Sequence, residues 1–255
     1  MYGGPGSILV TKSFRLGFDE WVASKGFAVV TVDGRGTGGR GHSWSRLTYL
    51  NLGATEALDQ IAAAAKLKTL AWVDGSRVAL WGWSYGGYVT ARAASDDSNK
   101  VFSAFVSVAP VTDWRDYDSI YTERYMGELT SSTLPSYLNA SLLSPPRAAA
   151  VQTPLFLAHG LSDDNVHPLN TEQLVEALLS ADNSDFNMQF YPNRDHGIAG
   201  RRTRLHLYKS IFAFLVRSLA PPVIFEDSLS VKPPPQQLQH INALRERELQ
   251  EEMQY

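Results

Sequence analysis

The sequence predicts an α/β fold, a mostly parallel sheet with helices on both faces. Three observations lead there. Short apolar runs rich in β-branched and aromatic residues alternate along the chain with longer stretches of helical periodicity. The runs are short and mostly apolar, as strands of a parallel sheet covered on both faces are. Hydrophobic residues make up 44% of the 255 positions against 19% charged, enough for a full core.

In chain order, the opening MYGGPGSILV is glycine-rich and turn-like. Strands are predicted at FAVVTV (27–32), RVALWG (77–82), AFVSVA (104–109), PLFLAHG (154–160) and FNMQFY (186–191). Helices are predicted at ATEALDQIAAAAKLKTL (54–70), at YVTARAAS, at NTEQLVEALLSA (170–181) and at RTRLHLYKSIFAFLVRSL (202–219). Past Leu219 the composition changes. Residues 221–255 read as a proline-rich linker and an appended charged helix, with Leu238, Ile241, Leu244, Leu249 and Met253 on one broad face. The expected division is a domain over 1–220 and this tail over 221–255.

Composition narrows the function. A formal charge of −3 supplies no field for a nucleic-acid partner. Without cysteine there is no disulfide, thiol nucleophile or thiolate metal site. No helical paired-histidine motif is present either, so neither metal nor organic cofactor is expected. No run is long enough to span a bilayer, and no leader pattern opens the chain. Compartment stays open: cytoplasmic, or anchored or secreted if residues precede these.

One stretch, VDGRGTGGRG (32–41), fills G-x-G-x-x-G with Gly36, Gly38 and Gly41. A dinucleotide site needs those glycines to open a helix, followed by a strand ending in an acid. HSWSRLTYLNLG is a poor helix start, and Glu56 and Asp59 sit inside a helical run. The stretch reads as a turn.

Chemistry is concentrated at GWSYGG (82–87), where Gly82-Trp83-Ser84-Tyr85-Gly86 fits G-x-S-x-G between a strand and a helix. This is the context of a nucleophile elbow in an α/β-hydrolase fold. The Tyr85 amide would face an oxyanion. A serine hydroxyl needs a base and a group to orient it, here in the chain order Ser, acid, His. Of the six histidines, His42 precedes the serine, His159 precedes the candidate acid, and His167 follows it too closely. His206 lies in a helix and His240 in the tail. His196, in NRDHGIAG after a strand, remains. The acid belongs to the loop after PLFLAHG, and spacing does not choose between Asp163 and Asp164.

GWSYGGY, DWRDYDSIYTERYMG, HGLSDDNVH and DHGIA together closely resemble the dipeptidyl peptidase IV branch of the prolyl oligopeptidase family. YGGPGS and FAVVTVDGRGTGGRG resemble its early loops, and the likeness runs from about Tyr2 to Leu219. The resemblance implies Asp163 as the acid and Tyr2 as a second oxyanion donor beside Tyr85. It implies a proline pocket of Tyr85, Val111, Trp114, Tyr117, Tyr121 and Val166, with Asn165 on the substrate backbone. On the residues alone, the aromatic-rich segment reads equally well as a helix packed on the core. The implied function is release of N-terminal Xaa-Pro or Xaa-Ala dipeptides through an acyl-enzyme, with peptides as partners and a homodimer in the full-length form. The family's sheet begins upstream of YGGP, with one strand between those at 27–32 and 77–82, so the resemblance implies an N-terminally truncated chain. It also holds the substrate amine on a separate propeller domain. Truncation predicts poor folding and weak activity of this chain alone. The competing expectations are a broader esterase or oligopeptidase with the same triad, and an inactive fragment that binds a partner.

Overall fold

The computed structural model describes residues 1–219; the linker and charged helix expected over 221–255 lie outside the described residues. The sheet has four parallel strands, β1 (Ala79–Trp83), β2 (Ala104–Val108), β3 (Leu155–Gly160) and β4 (Phe186–Tyr191), side by side in chain order. The register aligns Trp83 with Val108, Val108 with Ala158, and Gly160 with Tyr191. The carboxyl ends of the four strands therefore lie along one edge, where open parallel sheets carry their ligands.

The helices are α1 (Phe18–Ala23), α2 (His42–Ser45), α3 (Ala54–Leu67), α4 (Tyr85–Asp96), α5 (Ser119–Met126), α6 (Leu134–Ala140), α7 (Pro145–Ala150), α8 (Leu169–Ser180) and α9 (Arg201–Leu219). Side chains alternate across a strand, and the two central strands show the result. Phe105, Leu155 and Leu157 join one core with Tyr88, Val89, Leu174 and Leu178 from α4 and α8. Val106, Val108, Phe156 and Ala158 join a second core with Phe18 of α1 and Leu207, Ile211, Phe214 and Leu215 of α9. In α9 these four recur at i, i+4, i+7 and i+8, the stripe that makes a helix bind a sheet face. Helices thus cover both faces. β2 and β3 are buried along their whole length, whereas β4 at the edge leaves Met188 exposed.

The apolar run at 27–32 corrects the sequence reading, for it is no strand. Val29 and Val30 are 38% and 48% exposed. Apolar, β-branched composition makes a strand only where a neighbour completes the ladder, and none lies beside this segment among the described residues. Its carbonyl at Val32 is taken instead by the Gln60 side chain, at 3.1 Å. The glycine-rich stretch after it is a turn, as expected. Gly36 O accepts from Gly6 N and Gly38 N donates to Ser7 O, both at 3.0 Å, and Arg35 pairs with Asp59 of α3 at 2.6 Å. Only the four-residue α2 and a 3₁₀ turn (Arg46–Thr48) follow it. Short α1, α6 and α7 carry too few turns to show a period in sequence. No helix among the described residues is long and apolar enough to cross a membrane.

Candidate active site

Ser84 stands between β1 and α4 with φ 60° and ψ −120°. A non-glycine residue in that region costs about 1–3 kcal/mol and persists only where its surroundings fix it. Here its amide donates to Val108 O of β2 at 2.8 Å and its carbonyl accepts from Tyr88 N at 3.0 Å. Tyr85 opens α4, so its amide has no acceptor within the helix and lies at the positive end of the helix dipole. Gly86 lets another strand of chain cross here, since a Cβ on it would lie 3.0 Å from the Tyr2 Cα. Tyr2 is thereby brought to the elbow, its ring 5.9 Å from that of Tyr85.

Asp163 follows β3 and is 2% exposed. A buried carboxylate must be hydrogen-bonded, and this one is. Oδ1 accepts from Asn165 N at 3.0 Å and Val166 N at 2.9 Å, and Oδ2 from His196 Nδ1 at 2.7 Å. Burial pushes its pKa up, but the hydrogen bonds from His159 and His196 and the Val166 amide outweigh burial and hold it well below the usual carboxylate range. A carboxylate only accepts, so His196 Nδ1 carries the proton of this bond, and in the neutral ring Nε2 is left with the free lone pair. Asp164, the alternative acid, is exposed.

The His196 loop is gripped from two further sides. Trp83 Nε1 donates to His196 O at 3.0 Å, which ties the loop to the residue preceding Ser84. Arg204 of α9 donates to Gly197 O and stacks 5.3 Å over the Trp83 ring. Gly160, at the end of β3, gives the loop room: a Cβ there would lie 2.5 Å from Asp195 O. Sequence reasoning missed Trp83 and Arg204. The available signal was a tryptophan inside the elbow and an arginine two turns past the histidine, a pairing of cation and ring.

The aromatic segment forms a box beside Tyr85. Trp114, 1% exposed, has its ring centroid 5.5 Å from that of Tyr85, 5.8 Å from Tyr117 and 5.9 Å from Tyr121. Val111 and Val166 are buried in the same core as Tyr85 and Trp114. The Tyr117 hydroxyl donates to Asn165 Oδ1 at 2.8 Å, joining this wall to the acid loop. The residues expected at the site are thus brought together around the carboxyl ends of the sheet. One buried group was not anticipated. Glu56 of α3 is 1% exposed and accepts from the Tyr85 hydroxyl at 2.5 Å. Burial raises the pKa of its carboxyl, against the pull of these hydrogen bonds, and burial also pushes the Tyr85 phenol well up.

Fold and elbow together define an α/β hydrolase. The model of the prolyl oligopeptidase family matches residues 13–221, and the chain belongs to that family of serine peptidases. Among curated relatives it is 42% identical over 219 residues to a probable dipeptidyl-aminopeptidase B of Neosartorya fischeri and 43% over 220 residues to that of Penicillium rubens. Each match takes in 86% of this chain and 24% of the relative, so the chain spans about a quarter of their length. Among solved structures, dipeptidyl peptidase 4 of Porphyromonas gingivalis superposes with a TM-score of 0.81 at 43% identity, over 86% of this chain and 30% of the other. A putative dipeptidyl aminopeptidase IV of Bacteroides ovatus gives 0.80 at 32% identity, over 86% and 31%.

Proposed function

We propose that residues 1–220 are the catalytic domain of a serine exopeptidase that releases Xaa-Pro or Xaa-Ala dipeptides from peptide N-termini. The observation that carries this reading is the 2.7 Å bond from His196 to buried Asp163, with the His196 loop tied to the residue before a strained Ser84. Ser84 Oγ attacks the scissile carbonyl carbon while its proton passes to His196 Nε2. Asp163 holds the ring and steadies its charge. The oxyanion is held by the Tyr85 amide and the Tyr2 hydroxyl. Collapse breaks the C–N bond, the leaving amine takes the proton from His196, and a dipeptidyl ester remains on Ser84. Water, deprotonated by His196, then cleaves that ester and returns the serine its proton. The box of Tyr85, Val111, Trp114, Tyr117, Tyr121 and Val166 suits a compact apolar ring with no N–H, as proline is. Asn165 meets the substrate backbone. In the full-length form a homodimer is the proposed assembly.

The test is labelling by a fluorophosphonate, with the adduct located by mass spectrometry, alongside hydrolysis of an Xaa-Pro chromogenic amide. Label on Ser84 and its loss in Ser84→Ala are expected. Label that survives in that variant overturns the assignment. Cleavage of amine-blocked esters in place of free-amine amides would make the chain a broader esterase.

A further inference from the structure

His159 is the last-but-one residue of β3 and fully buried. Its two ring nitrogens are both engaged. Nδ1 lies 2.7 Å from Thr171 Oγ1 of α8, and Nε2 lies 2.8 Å from Val166 O. A carbonyl only accepts, so Nε2 carries a proton, and in the neutral ring Nδ1 accepts the threonine hydroxyl. That much would describe any satisfied core histidine. The decisive contact is a third one: the same Nε2 lies 3.2 Å from Asp163 Oδ2, the oxygen that holds His196.

We propose that His159 is a positioning residue for the Asp163–His196 pair, its Nε2–H shared between Val166 O and Asp163 Oδ2. This rests on the triad proposed above. The two oxygens of Asp163 are not equally served. Oδ1 has two backbone donors within its own loop, whereas Oδ2 has, among the described residues, only the rings of His196 and His159. Through His159 the acid, the backbone of the pocket residue Val166 and the start of α8 are locked to one strand end. The shared proton also draws on the charge of Oδ2. Without it, Oδ2 would turn its full charge on His196 and hold the imidazolium more tightly. The titratable groups that face Asp163 are His159 from β3, His196 from the loop after β4, and Tyr117 from the segment before α5.

Glutamine places an amide N–H near the position of Nε2, while asparagine can reach Thr171 but stops short of Asp163. The experiment is an NMR titration of the His196 ring in the whole chain, for wild type, His159→Gln and His159→Asn. In His159→Asn the midpoint is expected to rise by about half a pH unit, a threefold gain in proton affinity. In His159→Gln it should stay near wild type. An unmoved midpoint in folded His159→Asn, or an equal rise in His159→Gln, overturns the proposal. So does a wild-type ¹⁵N spectrum that puts the His159 proton on Nδ1 alone, a reading that needs no variant. Fluorophosphonate labelling of the same samples separates the two readings. No label on wild-type Ser84 defeats the peptidase reading, while the titration still decides the role of His159.

Discussion

A single methyl group at Gly160 should uncouple His196, the proposed base, from Asp163. Gly160 ends β3 and pairs with Tyr191 of β4, and its φ is one any residue can adopt, so only space is at issue. An alanine Cβ would lie 2.5 Å from Asp195 O and 2.9 Å from the Arg194 carbonyl carbon, with Arg194 O nearer still. A carbon–oxygen contact settles at about 3.3–3.6 Å, so backbone must retreat by about 1 Å. The strand is fixed on both sides by the sheet, and the loop gives way. It carries His196, one residue beyond Asp195. Overpacking of this kind costs about 1–3 kcal/mol, and a displacement of about 1 Å at a reacting group costs about 100-fold in rate. In Gly160→Ala the melting temperature should fall modestly. Turnover of an Xaa-Pro amide and the rate of phosphonylation at Ser84 should fall by about two orders of magnitude, at temperatures where the variant is fully folded. Near-normal turnover with a lowered melt would show that the loop yields without moving His196, and would refute the reasoning.

Three further outcomes follow from the same contacts. Asp163, held below the usual carboxylate range, adds stability that is fully present above its unfolded value of about 3.9 and is lost as pH falls through its lowered folded value. Urea midpoints of Asp163→Asn should therefore lack that part of the acid dependence, and parallel curves for variant and wild type would contradict this. For Glu56 the sign is opposite. Burial raises its pKa, so charging it costs stability as pH rises from its unfolded value of about 4.3 through the folded one. Glu56→Gln should thus match or exceed wild type in thermal melts at pH 8, while Glu56→Leu strands the buried Tyr85 hydroxyl and loses about 1–3 kcal/mol. A Glu56→Gln variant weakened more at pH 8 than at pH 4 would reverse that sign. Arg204→Ala frees Gly197 O and the Trp83 face. It should lower kcat about tenfold with KM little changed, as loss of an interaction felt in the transition state does; an unaltered kcat would mean that Trp83 alone holds the loop.

Four of the five predicted strands lie in a ladder; the buried β2 and β3 are what apolar β-branched runs report, whereas β4 at the edge is only partly buried. The fifth, at 27–32, has the same composition and no ladder, and composition cannot tell the two apart. Ser84 was legible because the elbow imposes glycine at fixed offsets. His196 and Asp163 were legible in part, from chain order and resemblance, although spacing alone left Asp163 and Asp164 level. Buried supports were illegible for a different reason. Glu56 looks like an ordinary acid in the first turn of a helix, and His159 like the polar end of a strand. Their roles depend on Tyr85 and Asp163, which are distant in sequence or face them only after folding. Trp83 and Arg204 meet across more than a hundred residues of chain, a separation no local pattern spans.

The four described strands lie in the sheet in the order in which they occur in the chain. During synthesis, each of these four can add beside the one made just before it. Ser84 follows β1, Asp163 follows β3, and His196 follows β4. A nascent chain therefore displays its serine long before it owns a base to activate it, and a bare hydroxyl cuts nothing. By the time His196 leaves the ribosome, β1 to β4 have all been made. The proposed peptidase is armed only once the loop after β4 has been made.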